Sequence, residues 1–287
     1  MYRTKLSRRR AGTGLLFAAP SLVGLLVFFL VPFGICFVLS FSGGVGGSFI
    51  GLHNYENQLQ NGTFQLALRN TGKFILVAVP LIMLIGLGIS LLLHLGLRGS
   101  AFFRTVFLFP YVLPVASVIL FFRIVFEKNG LANGLLAWLH LPVTDWLNTP
   151  QAFSVLVLLY IWKNCGYNIV LFLAALNSIP RVYYEAAEID GASRADKLRR
   201  ITLPLILPYL LFIFIISVIN SFKVFREAYI LCGAYPPGSI YMLQHFMNNN
   251  FQNANFRNLS AGAILVFLFV ALLGLALSHL RGRGNSA

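Results

Sequence analysis

Apolar residues fall along this chain in long runs, and the charges gather in the short segments between them. Crossing a bilayer takes about 20 apolar residues of helix. Six runs meet that length: 15–40, 74–95, 105–126, 153–179, 205–231 and 261–280. The fifth carries charges in its second half. The pattern predicts an all-α integral membrane protein with six transmembrane helices. The polar stretches at about 41–73, 127–152 and 232–260 are each too short to bury a core of their own, so 1–287 reads as a single transmembrane domain. Prolines 32, 80, 110, 114 and 208 fall within apolar runs and are expected to kink them, which buried polar groups and neighbouring helices can accommodate.

Composition agrees with the pattern. Hydrophobic residues make up 58% and charged residues 10% of the chain, with a mean hydropathy of +0.79, whereas a soluble domain carries about 25% charged residues. The first run is too long for the core of a signal peptide and lacks a clean small-residue cleavage site, so it is expected to stay as an anchor. Arg3, Lys5, Arg8, Arg9 and Arg10 precede it, Arg98 and Arg104 bracket the turn after the second run, and Arg181, Arg194, Lys197, Arg199 and Arg200 lie between the fourth and fifth. Arg281 and Arg283 follow the sixth, which places fourteen of the 22 Lys and Arg on one side. The positive-inside rule then makes both termini and the segment 180–203 cytoplasmic. The same distribution explains the formal charge of +14 without a nucleic-acid partner, since the bases border apolar runs instead of forming a soluble basic face.

Chemistry of catalysis is not evident. There is no phosphate-cradling G-x-x-x-x-G-K-[ST] loop, no H-E-x-x-H and no G-x-S-x-G, and the five histidines are scattered singly. Cys36, Cys165 and Cys232 lack metal-like spacing. No catalytic residue, metal or cofactor is therefore expected, and the chain is not expected to hydrolyse ATP by itself.

The segment from Arg181 to Arg200 holds four acids and five bases, more than a simple connection between helices requires. Pro180 suits the first turn of a helix, and 181–190 can form about three turns with Ala186 and Ala187 as a small-residue face. Gly191 permits a sharp bend. Ser193 and Asp196 have capping-box-like spacing, so a second short helix is expected to start there and run to Ile201, ahead of Pro204. Two short helices meeting at a glycine make a knob that a cleft on a partner could grip.

These residues carry a resemblance. Glu185-Ala186-Ala187, Asp190-Gly191-Ala192 and Ile201-Thr202-Leu203-Pro204, with Pro208 four residues on, resemble the EAA signature of ABC importer permeases. Leu198 stands where that family often has an aromatic residue. Further stretches resemble the sugar-importing branch: Gly51-Leu52-His53-Asn54-Tyr55, Ala67-Leu68-Arg69-Asn70-Thr71, Phe103-Arg104-Thr105 with Pro110-Tyr111-Val112-Leu113-Pro114, Asn133-Gly134-Leu135-Leu136, and Trp162-Lys163-Asn164-Cys165-Gly166.

The resemblance implies a type I importer permease forming half of a translocation path in the plasma (inner) membrane of a bacterium or archaeon. It implies as partners an ATPase dimer inside, a second homologous permease that is usually a different chain, and a sugar-binding protein outside. It further implies that Glu185, Ala186, Ala187, Asp190, Gly191 and Ala192 couple the chain to the ATPases, with Glu185 and Asp190 fixing hydrogen bonds of the knob. The alternative is a type I permease for an amino acid or phosphate, which would share the EAA loop but not the Gly51–Tyr55 and Asn133–Leu136 elements.

Polar side chains at membrane depth suggest a cavity. In the fourth run Lys163, Asn164, Tyr167 and Asn168 lie near the midplane, and Asn164 and Asn168 share a helix face. They fit either a sugar path or packing glue between helices. Lys223 and Glu227, four residues apart, are expected to pair with each other. The asparagine-rich stretch 248–258 reads as a polar loop or a docking surface for the binding protein.

Overall fold

The computed structural model describes residues 3–43, 46–96 and 99–284. In chain order the helices are α1 (Arg3–Leu25), α2 (Val31–Ser40), α3 (His53–Gln60), α4 (Gly62–His94), α5 (Ser100–Val112), α6 (Val115–Phe126) and α7 (Leu131–Trp138). There follow α8 (Ala152–Asn177), α9 (Val182–Ile189), α10 (Arg194–Lys197), α11 (Leu203–Ser221), α12 (Phe225–Cys232), α13 (Leu243–Gln252) and α14 (Phe256–Gly284). Among the described residues no strand forms, and the one β-bridge joins Ser42 to Phe49. Arg98 lies outside the described residues.

Among the described residues, four continuous helical stretches are long and apolar enough to cross a membrane: Thr13–Ser40, Gly62–His94, Ala152–Asn177 and Arg194–Cys232. They coincide with the first, second, fourth and fifth apolar runs. The third run, expected as one helix over 105–126, is instead a bent pair, with Ser100–Val112 and Val115–Trp138 meeting at 93°. Proline chemistry is the reason. Leu113 precedes Pro114 and takes the extended conformation (φ −62°, ψ 144°), because the ring of a following proline disfavours the helical region. The sixth run lies on α14, whose described apolar part is the shorter stretch Phe256–Leu272.

Two helices continue through prolines by widening. π-Helical turns at Leu26–Leu30 and Leu198–Thr202 each end two residues ahead of a proline, Pro32 and Pro204. Proline cannot donate to the preceding turn and its ring crowds that turn's carbonyl, so a widened turn relieves both problems. The helix that starts at Arg194 accordingly does not stop before Pro204, as its sequence suggests, but runs on into α11.

The chain forms two compact units, Met1–Asn61 with Asn250–Val270 and Gly62–Asn249 with Ala271–Ala287. In the first, α3 is tied back to the end of α2. The buried Asn54 donates from Nδ2 to the carbonyls of Ser40 (3.0 Å) and Ser42 (2.8 Å), and the Tyr55 and Ser40 hydroxyls are 2.6 Å apart. Helix α1 and the π-helical turn that follows it expose Phe17, Phe28 and Phe29, as lipid contact allows.

In the second unit α8 is central: it packs on α4 and α5, and α11 packs on both α4 and α8. Phe74, Ala78 and Ile82 of α4 repeat at i, i+4 and i+8 and meet Leu156, Tyr160 and Ile169 of α8. Lipid is as apolar as these side chains, so close packing must hold the helices together. Glycine supplies it at one point: a Cβ on Gly166 would lie 2.0 Å from the carbonyl oxygen of Phe107, so the α5 backbone rests directly on α8. Ser90 of α4 adds a hydrogen bond to the carbonyl of Ile169, 3.0 Å away.

Two more asparagines act as clamps here. Asn70 donates to the carbonyls of Gly238 (2.5 Å) and Tyr241 (3.0 Å). Asn133 donates to the carbonyls of Lys128 and Thr144, both at 2.8 Å, and accepts from the Trp146 indole at 3.0 Å. The asparagine-rich stretch begins inside α13 and is not a plain loop. Asn249 is buried there, donating to the carbonyl of Ala234 at 3.0 Å.

Candidate functional site

The polar residues of α8 do not share one environment. Lys163 is buried and forms an ion pair with Glu227 of α12. A 3-10 turn at Phe222–Val224 breaks the helical register between α11 and α12. That break overturns the expected Lys223–Glu227 pair: Glu227 turns inward to Lys163, while Lys223 stays exposed and donates to Asn220 Oδ1 at 2.9 Å. The second oxygen of Glu227, Oε2, is buried with no hydrogen-bond partner.

These groups line a cavity of about 280 Å³. Lys163, Asn164 and Tyr160 contribute from α8, Tyr111 from α5, and Asn220, Lys223, Arg226 and Glu227 from the α11–α12 region. The Asn164 amide donates to the carbonyl of Tyr160 at 2.8 Å. Tyr167 does not line the cavity but stacks on Tyr111, with ring centroids 5.3 Å apart and planes at 14°. Asn168 is buried against α11, where its Oδ1 accepts from the Ser217 hydroxyl at 3.0 Å. A Cβ on Gly86 would approach the Asn168 Cβ to 3.2 Å, so α4 closes over it. Lys163 and Asn164 are thus brought to the cavity, Tyr167 supports its wall, and Asn168 sits in the helix packing. Tyr111, Arg226 and the inward Glu227 complete the lining; the only sequence signal for the last two was the charge in the second half of the fifth run.

The charged segment 180–203 folds as two short helices around Gly191. The Ala192 N–H bonds the Ala187 carbonyl (2.9 Å) and the Gly191 N–H the Glu188 carbonyl (3.1 Å), with Gly191 left-handed at φ 74°. This is the full Schellman closure of α9. Ser193 then caps α10, accepting from the Asp196 N–H at 3.2 Å. Lys197 of α10 reaches across to Glu188 of α9 at 2.6 Å. That hydrogen bond and charge hold the Glu188 carboxyl below the usual carboxylate range, and the hydrogen bond from the Ser193 hydroxyl does the same for Asp196.

Inside the knob the polar ties run through Glu188 and Asp196, while Glu185, Ala186, Asp190 and Gly191 are exposed and Ala187 and Ala192 half-buried. Ile189 is 88% exposed, an apolar side chain offered outward at the tip. The base of the knob is anchored: Tyr184 packs against a cluster of Leu176, Ile179 and Ile206 and hydrogen-bonds Thr202 at 2.9 Å. A second cavity, about 480 Å³, lies between the end of α4 and the knob, lined by Leu91, Leu95, Tyr184, Lys197 and Leu198 among others.

A partly open cavity with a buried ion pair on its wall, set among apolar helices, and an outwardly exposed knob at the end of two of them are the features of a membrane permease. A family model described as binding-protein-dependent transport system inner membrane component matches residues 82–282, and the chain belongs to that family. It is 34% identical to the arabinooligosaccharides transport system permease protein AraP of Bacillus subtilis, over 94% of this chain and 90% of that one. It is 33% identical to the trehalose/maltose transport system permease protein MalF of Thermococcus litoralis, over 93% of this chain and 92% of that one. In fold it matches the crystal structure of a bacterial ABC transporter involved in the import of the acidic polysaccharide alginate. The TM-score is 0.86 at 22% identity, covering 97% of this chain and 99% of that chain. The fold is therefore that of a type I ABC importer permease, and the chain is a multi-pass membrane component, with ATP hydrolysis belonging to partner subunits.

Proposed function

We propose that this chain forms one half of the translocation path for a carbohydrate in the plasma membrane of a bacterium or archaeon. The cargo arrives from an extracytoplasmic binding protein, a second homologous but different permease chain supplies the other half of the path, and two ATPase subunits bind from the cytoplasm. Both termini and the α9–α10 knob face the cytoplasm, as the distribution of Lys and Arg favours. The observation that carries the reading is that relatives covering more than nine-tenths of this chain are named for transport of arabinooligosaccharides and of trehalose/maltose.

The mechanism is mechanical. Glu185, Ala186, Ala187, Asp190, Gly191 and Ala192 present a small, polar, sharply bent surface to a cleft of the ATPase, and closure of the ATPases moves the knobs of the two permeases together. Tyr184, packed against Ile179 and Ile206, transmits that motion to α8 and α11. Those helices carry the cavity with Lys163 and Asn164 on its wall, so the same motion turns the cavity from one side of the membrane to the other. Tyr167 and Asn168 hold its shape from behind.

The test is unbiased depletion of medium. Source cells with and without this gene are grown on a mixed carbohydrate hydrolysate supplemented with amino acids and phosphate, and what disappears is followed by mass spectrometry. A saccharide that remains in the medium only when the gene is missing, and vanishes again on complementation, is the expected result. Persistence of an amino acid or of phosphate alone would contradict it.

A further inference from the structure

The 280 Å³ cavity carries three cations against one carboxylate. Lys163 is matched by Glu227, with both side chains about nine-tenths buried at 10% and 8% exposure. Lys223 and Arg226 remain. Both are exposed, and among the described residues neither pairs with a carboxylate; Lys223 is held only by the amide oxygen of Asn220. Both lie near the end of the fifth apolar run, and two neighbouring cations on one cavity repel each other unless an anion lies between them. A neutral sugar needs hydroxyl partners and ring faces, not a net positive charge.

The geometry points to an anion, and we propose that this cavity selects an acidic saccharide, one bearing a carboxylate that Lys223 and Arg226 bind together. The guanidinium fork matches a carboxylate in two parallel hydrogen bonds, and the ammonium adds a point charge beside it. The rest of the lining suits the sugar ring. The Tyr111 ring offers an apolar face, and Asn164 and Asn220 offer amides. Lys163 engages only one oxygen of the Glu227 carboxylate. A volume of about 280 Å³ falls just below the range of small-molecule pockets, about 300–1,000 Å³, as fits a half-site that grips a ring from one side.

The inference rests on the cavity being part of a carbohydrate path, and its test separates the two. Source cells lacking the gene, complemented with wild type or with the double variant Lys223→Gln/Arg226→Gln, receive a mixture of galacturonate- and glucuronate-containing di- to tetrasaccharides. Each is accompanied by its carboxyl-reduced neutral twin, and uptake of every compound is read by mass spectrometry. The expected result is that wild type imports an acidic saccharide at least about tenfold faster than its twin, and that the double variant loses about tenfold of that preference while copurifying with the same partners. Chain-dependent uptake of neutral saccharides only, equal uptake of twins, or a preference unchanged in the double variant overturns acidic selection and leaves carbohydrate import standing. Dependence of no saccharide, with loss of amino-acid or phosphate uptake instead, overturns both.

Discussion

The ammonium of Lys163 on α8 and the carboxylate of Glu227 on α12, 64 residues apart in sequence, form a buried ion pair on the wall of the cavity. Removing one partner of such a pair leaves an uncompensated buried charge and costs about 3–5 kcal/mol, whereas an apolar replacement of both is close to neutral. Lys163→Met and Glu227→Leu are therefore each expected to lower the folded yield in membranes and the unfolding temperature in detergent, and the double variant to recover most of both. Transport should not recover with stability, because the double variant replaces two polar residues of the cavity wall with apolar ones. A double variant as unstable as the singles would argue that the two groups do not act as a pair.

Asn164 and Asn168 share a helix face yet have separate tasks. Asn164 lines the cavity, whereas Asn168 is buried and accepts from Ser217 at 3.0 Å. Asn164→Ala is expected to reduce uptake with little change in assembly. Asn168→Ala strands the Ser217 hydroxyl and is expected to cost about 1–3 kcal/mol, so that assembly and uptake fall together. Comparison of uptake per assembled complex distinguishes the two, and equal behaviour of the variants would contradict the assignment.

Gly166 is the contact point of α5 and α8. A Cβ there would lie 2.0 Å from the Phe107 carbonyl oxygen, a backbone atom with little freedom to move. Gly166→Ala should destabilise by at least about 1–3 kcal/mol through overpacking. The same change at Gly88, which has open space around the Cβ position, should not. Thermal unfolding of the two variants side by side checks this.

His245 gives the second unit a pH dependence. It is fully buried, accepts the Met242 N–H at its Nδ1 (3.2 Å), and burial pushes its pKa down to about 4 from the ordinary 6.5. Between those values the unfolded chain binds a proton that the folded chain refuses, so stability falls as pH drops from 6.5 toward 4. The full effect is on the order of 3 kcal/mol, with most of it still absent at pH 6. His245→Gln keeps an acceptor but cannot titrate, and unfolding of this variant should lose that component of the acid sensitivity. A variant with the same slope between pH 6.5 and 4 as wild type would contradict the assignment.

Local signals made much of this structure legible in the sequence. Gly191 and Ser193 specify the closure of α9 and the start of α10 within a few residues, and both ends form as their chemistry suggests. The break at Leu113 was less legible. Pro114 makes a break plausible, but an angle of 93° depends on what packs around it. The pairing of Glu227 is not legible, because Lys223 is the nearer partner in sequence and a three-residue 3-10 turn is enough to send the two side chains apart. Asn54, Asn70 and Asn133 stood out only as marks of resemblance. Their use as clamps between distant backbone segments depends on contacts up to 171 residues away.

The proposed docking of the knob around Gly191 on an ATPase subunit is open to a direct test by one substitution. Gly191 is left-handed at φ 74° with open space around it, so Gly191→Val distorts the bend through backbone strain alone, since a β-branched residue rarely takes that conformation. The measurement is mass spectrometry of what copurifies with tagged wild-type and Gly191→Val chains extracted in mild detergent from source cells. An ATPase and a second permease are expected with wild type, and with the variant the same permease but about tenfold less ATPase. A wild-type chain that purifies alone, or a variant that keeps its ATPase in full, would contradict that docking.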